Sequence, residues 1–344
     1  MVHLRIVAPG WISQRALELL RGSGSVSNVI YLKGAAQKPE GDVILADVAA
    51  EDASVIIDDL RELEVPKHGS IAMEFVDTAI SDAGQLAERH APGSPSDAVI
   101  WEEVESRTSE DTELSFSFVA FMTLAMLIAA IGILLDQPIL IIGAMVVGPE
   151  FGPLAGLSVA IVELQGALVR RSLLALVVGF PTGVLAAYLL VQALRVTGLD
   201  PDGFALEDLA LTGFISQPDL FSFLVAYIAG TAGVLSLTSA KSGALIGVLI
   251  SVTTIPAAAN IGVAAAYTDW DEMGGAAAQL GLNLCAIVLA AVATLFVQRR
   301  FYVRRRVAHL SDPARRAAGL PMGRSAKATT RSRSSSEPER SPRP

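Results

Sequence analysis

One carboxylate stands inside a run that should hold none. In Ile141-Ile142-Gly143-Ala144-Met145-Val146-Val147-Gly148-Pro149-Glu150-Phe151-Gly152-Pro153 the ionisable side chain is Glu150. It lies twelve residues past Pro138, about 18 Å along an ideal helix and so near mid-depth of a bilayer. An ionisable group at that depth costs several kcal/mol and usually faces a cavity or a partner. No Lys or Arg lies deep in any apolar run. Glu150 is therefore neutral, bound to a cation, or held by helix N–H groups. The structural alternative is a protonated helix contact, or a cap on the half-helix after Pro149. Around it, Pro149, Gly152 and Pro153 interrupt the helix. A second interruption, Ser251-Val252-Thr253-Thr254-Ile255-Pro256, is followed by Asn260 and, one apolar run later, Asn283. These polar groups line a path or simply hydrogen-bond between helices, the commoner role. Gln279 reads as closer to the outer interface.

The chemistry implied is passage or binding, not catalysis. No Ser/His/Asp arrangement is discernible, and Gly22-Ser23-Gly24 follows a helix rather than opening one. His3, His68, His90 and His309 are scattered, and Cys285 is the one cysteine, read as a small packing residue. No disulfide, cysteine-based metal site, cofactor or enzymatic activity is expected.

Such groups need elements to hold them in an apolar medium. The chain of 344 residues is 52% hydrophobic and 18% charged, less charged than a soluble chain, with a mean hydropathy of +0.50. Apolar runs at Phe116–Leu135, Pro138–Val162, Leu173–Leu194, Phe221–Leu237, Gly243–Tyr267 and Ala276–Val297 each suit a membrane span. The expected architecture is mostly α: about six transmembrane helices behind a soluble domain. Ile131-Gly132-Ile133-Leu134 then Gly143-Ala144-Met145 is echoed by Ala232-Gly233-Val234-Leu235 then Gly243-Ala244-Leu245. Each echo leads to a proline-broken segment and one more span. This predicts a 3+3 inverted repeat with breaks in matching places, a pattern of secondary transporters. Breaks free backbone polar groups that lipid would not tolerate but a substrate would use.

Ahead of the spans, residues 1–80 read as β-α-β-β-α-β, a ferredoxin-like order. Strands fall at Leu4–Val7, Ser27–Leu32, Asp42–Val48 and Ser70–Val76, with helices at Gln14–Arg21 and Glu51–Leu63. Residues 81–113 form a connector with a short helix near Asp97–Glu105, and 114–298 the six-helix domain. Residues 299–344 form a basic, largely disordered tail. Net charge is −12 over 1–113, −7 over 114–298 and +10 over 299–344.

Arg170, Arg171, Lys241 and the Arg299–Arg306 cluster fall on one side of a six-span topology. That side should be cytoplasmic, with both termini. Arg195 alone dissents, at a span end where it can snorkel. Met1-Val2-His3-Leu4-Arg5 does not open a cleavable signal peptide. The tail's basic residues read as orientation signals or lipid contacts, not a nucleic-acid site.

The 141–153 stretch resembles a bacterial membrane-protein family of unknown activity, the domain of unknown function 389 family. Its hallmark is Gly-Ala-Met followed by two prolines with a glycine before the second. Trp101-Glu102-Glu103-Val104 and Ile131–Leu134 are also similar, and the resemblance covers roughly residues 95–300. Many relatives carry a serine and an apolar residue where Gly148 and Glu150 stand. The resemblance implies a bacterial inner membrane and no activity.

Two functions follow. One is a secondary transporter or permease for a small solute or ion. The other is a membrane-embedded sensor whose soluble domain binds a small ligand or partner, with the Pro9-Gly10 turn as the binding place by analogy of fold. Expected partners are the lipid bilayer, a small solute, cation or proton, and further copies of the chain.

Overall fold

The computed structural model describes residues 1–76, 80–91, 93, 98–201, 203–206, 209, 213–239 and 254–323. The chain divides into two compact units. One is Met1–Trp101 together with the chain from Arg299 onward; the other is Glu102–Gln298.

The first unit opens with β1 (Val2–Ala8), α1 (Gly10–Gly22), β2 (Val26–Gln37), β3 (Glu40–Val48) and α2 (Ala50–Glu62). A single turn, α3 (Val65–His68), then leads into β4 (Ser70–Phe75). The strands form one antiparallel sheet in the order β2-β3-β1-β4. This is the β-α-β-β-α-β order that the alternation suggests. Val2, Leu4, Ile6 and Ala8 point to the helices, as do Ile44, Ala46 and Val48, because side chains alternate along a strand. Ile12, Ala16, Leu19 and Leu20 of α1, with Ala53, Ile56 and Leu60 of α2, close that core. The strands run longer than the apolar letters suggest. Polar His3, Arg5 and Asp47 lie on the other face, where they cost nothing. Beyond β4, α4 (Asp82–His90) starts from the Ser81 cap, whose hydroxyl accepts from the Gly84 N–H.

The second unit is helical: α5 (Trp101–Asp111), α6 (Phe116–Leu134), α7 (Pro138–Val147), α8 (Phe151–Val162) and α9 (Gly166–Thr197). A 3-10 turn at Gly213–Ser216 precedes α10 (Leu220–Thr238), α11 (Thr254–Tyr267) and α12 (Trp270–His309). Among the described residues α6, α9, α10 and α12 are each long and apolar enough to cross a membrane. The pair α7 and α8, bent by 51° at its break, makes a fifth crossing segment if taken as one. The expected fifth span, Gly243–Tyr267, is described only as α11. Its first half lies outside the described residues, with Lys241, Ser251 and Thr253. The short helix expected near Asp97–Glu105 begins at Trp101. Cys285 is exposed rather than packed.

The core of this unit joins α6, α7, α9 and α11 through Met122, Met126, Ala129, Ile141, Ala144, Ala187, Ala258 and Val263. Small residues let these helices approach closely. A methyl group added at Gly262 would sit only 2.6 Å from the Val184 carbonyl of α9.

Where the sequence reads a basic tail from 299, residues 299–309 continue α12 and α13 follows at Pro313–Ala317. The physical reason is charge pairing with α2. Arg305 pairs with Asp52 at 2.9 Å and Arg306 with Asp59 and Glu62. Fully buried Arg315 donates to fully buried Asp59 and to Glu62. The His309 ring meets Asp59 at 2.8 Å. Arg15 of α1 donates to the Ala318 and Gly319 carbonyls, and Ala314, Ala318 and Leu320 enter the apolar core. Residues 324–344 lie outside the described residues.

Candidate functional site

The break between α7 and α8 is built by Gly148 and Pro149. Proline has no N–H to continue the α7 ladder and disfavours helical backbone before it. The helix restarts at Phe151, with Pro153 its third residue. A first helical turn has no use for its N–H groups, so Pro153 is tolerated there. In the second segment Pro256 lies within the described helix Thr254–Tyr267.

The two proline-bearing segments meet. Glu150 is 3% exposed, and its Oε1 accepts a hydrogen bond from Thr254 Oγ1 at 2.8 Å. Its Oε2 is buried with no hydrogen-bond partner among the described residues. Glu150 stands at the N-cap of α8 but its side chain does not cap that helix. It reaches across to α11 instead. Gly148 makes the room: a methyl group there would fall 2.7 Å from Ile255 Cγ1 and collide with the Glu150 carboxylate. Gly152 lies against Asp111 at the end of α5, and Pro153 is buried within α8.

One step along α11, Asn260 is 2% exposed. Its Nδ2 donates to Glu272 Oε1 of α12 at 3.0 Å, while its Oδ1 is buried without a partner among the described residues. Asn283 is buried on α12, where its Oδ1 accepts from Gln279 Nε2 at 3.4 Å. The structure thus brings Glu150, Pro149, Thr254 and Pro256 into one place. Asn260 lies about 9 Å from Thr254 along the helix axis, and Asn283 is tied to its own helix. Thr253 is not described. Gln279 is buried, not interfacial.

Glu272 is the residue that sequence reasoning passed over. It reads as one more acid in the Asp269-Trp270-Asp271-Glu272 turn. Its signal was spacing: Glu272, Ala276, Gln279 and Asn283 stand on one face of a helix. Arg195, expected to snorkel, donates to the Ala266 carbonyl and lies 4.5 Å over the Tyr267 ring.

The stretch holding both breaks is also the stretch recognised by comparison with known families. Residues 145–289 match DUF389, a domain of unknown function. This DUF389 segment runs from Met145 in α7 into α12 and so includes Glu150, Thr254, Asn260 and Glu272. The resemblance noted at the proline-glycine motif is borne out. An uncharacterised protein of the archaeon Methanocaldococcus jannaschii is 23% identical over 242 residues, 70% of this chain and 72% of its own. The resemblance is therefore not confined to bacteria. No solved structure matches the chain.

Proposed function

We propose that the DUF389 segment forms a secondary transporter or permease in which Glu150 binds a proton or small cation. The observation that carries this reading is the Glu150–Thr254 hydrogen bond. It joins the two proline-bearing segments, from Glu150 at the start of α8 to Thr254 of α11. A buried carboxylate held by a single hydroxyl, with one oxygen unpaired, is poorly compensated as a permanent charge. A titrating or cation-binding role uses that deficit; a structural role would fill it.

The meeting of the two proline-bearing segments at Glu150 and Thr254 fits the expected 3+3 inverted repeat. In such folds the breaks of oppositely oriented halves meet near the midplane. The proposed setting is a multi-pass protein of the cytoplasmic membrane with six spans and both termini inside. It would not act as an enzyme. The sensor reading gains less support. At the Pro9-Gly10 turn, Asp42 already takes donors from Ser13, Tyr31 and the Gly34 N–H.

Glu150→Gln keeps size and hydrogen bonding but removes titration. In proteoliposomes carrying a pH-sensitive dye, wild type should dissipate an imposed proton or sodium gradient and the variant should lose that flux at least tenfold. A variant that inserts normally and matches wild type across pH would overturn the coupling role.

A further inference from the structure

Buried oxygens without a hydrogen-bond partner among the described residues recur in the helical unit, three of them on the helices of the site. Glu150 Oε2 opens the series at the break. Asn260 Oδ1 follows on α11, and Gln279 Oε1 lies on α12. All three side chains are at most 3% exposed. A buried polar atom without a partner costs about 1–3 kcal/mol, so three acceptors left open on facing elements call for a shared explanation. Donors would satisfy any one of them. A dehydrating cation, or a proton carried on water, satisfies acceptors specifically, because it brings positive charge and no competing lone pair toward them.

Glu272 gives the series a charged end. It is half-buried in the first turn of α12, and its backbone N–H is held by Asp269 Oδ1 at 3.0 Å. That bond fixes the turn so that the side chain reaches inward to Asn260. Asp269 and Asp271 stand beside it in sequence, while Arg195, at the end of α9, is engaged by the Ala266 carbonyl and the Tyr267 ring. Asn260 uses its amide nitrogen on Glu272, which leaves its oxygen, on the same carboxamide, free for a ligand of opposite preference. From Asn260 the axis of α11 leads about 9 Å to Thr254, and Thr254 holds Glu150.

We propose that Glu272 and Asn260 form a loading station for a small monovalent cation, a proton or an alkali ion, on the acidic side of the membrane unit, from which it passes to Glu150. This rests on the reading of Glu150 as the binding carboxylate and adds the site that feeds it. The station is a binding site in its own right: one carboxylate and one amide oxygen from two helices, with Gln279 about two turns deeper on the face that carries Glu272.

Carbodiimide labelling separates this inference from the reading beneath it. Dicyclohexylcarbodiimide enters apolar regions and reacts with protonated carboxyl groups, and intact-mass and peptide spectra locate the adduct. The full chain in detergent should label at Glu150, and either higher pH or sodium chloride, compared with choline chloride, should protect it. Protection by pH alone identifies a proton, and protection by sodium at fixed pH identifies an alkali ion. In Glu272→Gln and in Asn260→Ala, Glu150 should still label, but the midpoint concentration of the protecting cation should rise at least fivefold. If both variants elute as wild type by gel filtration and protect at the wild-type midpoint, Glu272–Asn260 is a helix tie and the station is wrong. If Glu150 does not label, or labels without any protection, the binding role of Glu150 fails and the station fails with it. Asn260→Asp, which keeps an oxygen toward the ligand, should retain a midpoint nearer to wild type than Asn260→Ala; the reverse order would also overturn the proposal.

Discussion

Asp42 shows how one carboxylate organises the sheet-bearing unit. It accepts from the Ser13 hydroxyl of α1, from Tyr31 OH at 2.8 Å and from the Gly34 N–H at 2.8 Å. The Ser13 hydroxyl and then the Gly34 N–H hold its carboxyl below the usual carboxylate range, while the hydrogen bond to Asp42 pushes the Tyr31 phenol up. A carboxyl depressed in the folded state contributes stability above its unfolded pKa and loses it as pH falls through the folded value. Melting temperature followed downward from pH 7 should therefore fall less steeply in Asp42→Asn than in wild type at acid pH. At neutral pH Asp42→Ala should cost about 2–3 kcal/mol, since hydrogen bonds to a charged group are lost and buried donors remain. Equal melting curves for wild type and Asp42→Asn from pH 7 to pH 3 would remove this role. Glu150 was legible in the sequence because charge is conspicuous in an apolar run. Glu272 was not, because a carboxylate among other acids in a turn reads as solvated; only the fold turns it inward to Asn260.

At the scale of elements, the break between α7 and α8 sets the site. Phe151-Gly152-Pro153 begins α8, and Gly148 leaves the gap that lets Glu150 cross to Thr254 of α11. Gly148→Ala should therefore disturb the site without disturbing helix propensity. The added methyl group collides with Ile255 and the carboxylate, and overpacking of this kind costs about 1–3 kcal/mol. A scanning-fluorimetry melt of the detergent-solubilised chain should drop by several degrees, and Gly143→Ala, where a methyl group meets nothing within 4 Å, should leave it unchanged. A Gly148→Ala melt equal to wild type would mean that the carboxylate does not sit in that gap. The helices themselves were readable from apolar runs, to within a few residues at most ends. The lengths of α9 and α12 were not. Both run past the apolar core, α12 through Arg299–Arg306, whose partners on α2 lie some 240 positions away and leave no trace in local spacing.

For the molecule as a whole, the proposed orientation has a direct check. Ala167 and Gln217 are exposed on loops or helix starts at opposite ends of α9 and α10 in the proposed topology. In a Cys285→Ala background, a membrane-impermeant maleimide applied to intact cells should label Gln217→Cys and not Ala167→Cys. The opposite pattern would invert the protein in the membrane. The acidic soluble unit and its arginine-rich closing segment belong to this same scale. Asp59 and Arg315 are both fully buried and paired, and removing one partner of such a pair costs about 3–5 kcal/mol. Arg315→Ala should therefore expose the soluble unit to limited proteolysis. Intact protection in that variant would show that the closing segment is dispensable.

The joining of both chain ends in one folded unit also constrains parity. The polypeptide leaves that unit after Trp101 and rejoins it at Arg299, with Arg306 and Arg315 gripping Asp59 on the helix that Ala50–Glu62 forms. A path that departs from and returns to the same compartment must traverse the bilayer an even number of times. The described helices long and apolar enough to cross, with the bent pair taken as one, number five. In the proposed topology evenness calls for one further traverse, which the expected span Gly243–Tyr267 would supply. Reporters placed after Thr238 and at Thr268 read this directly. They should lie on opposite faces of the membrane; finding both on the same face would mean that the segment between them does not span.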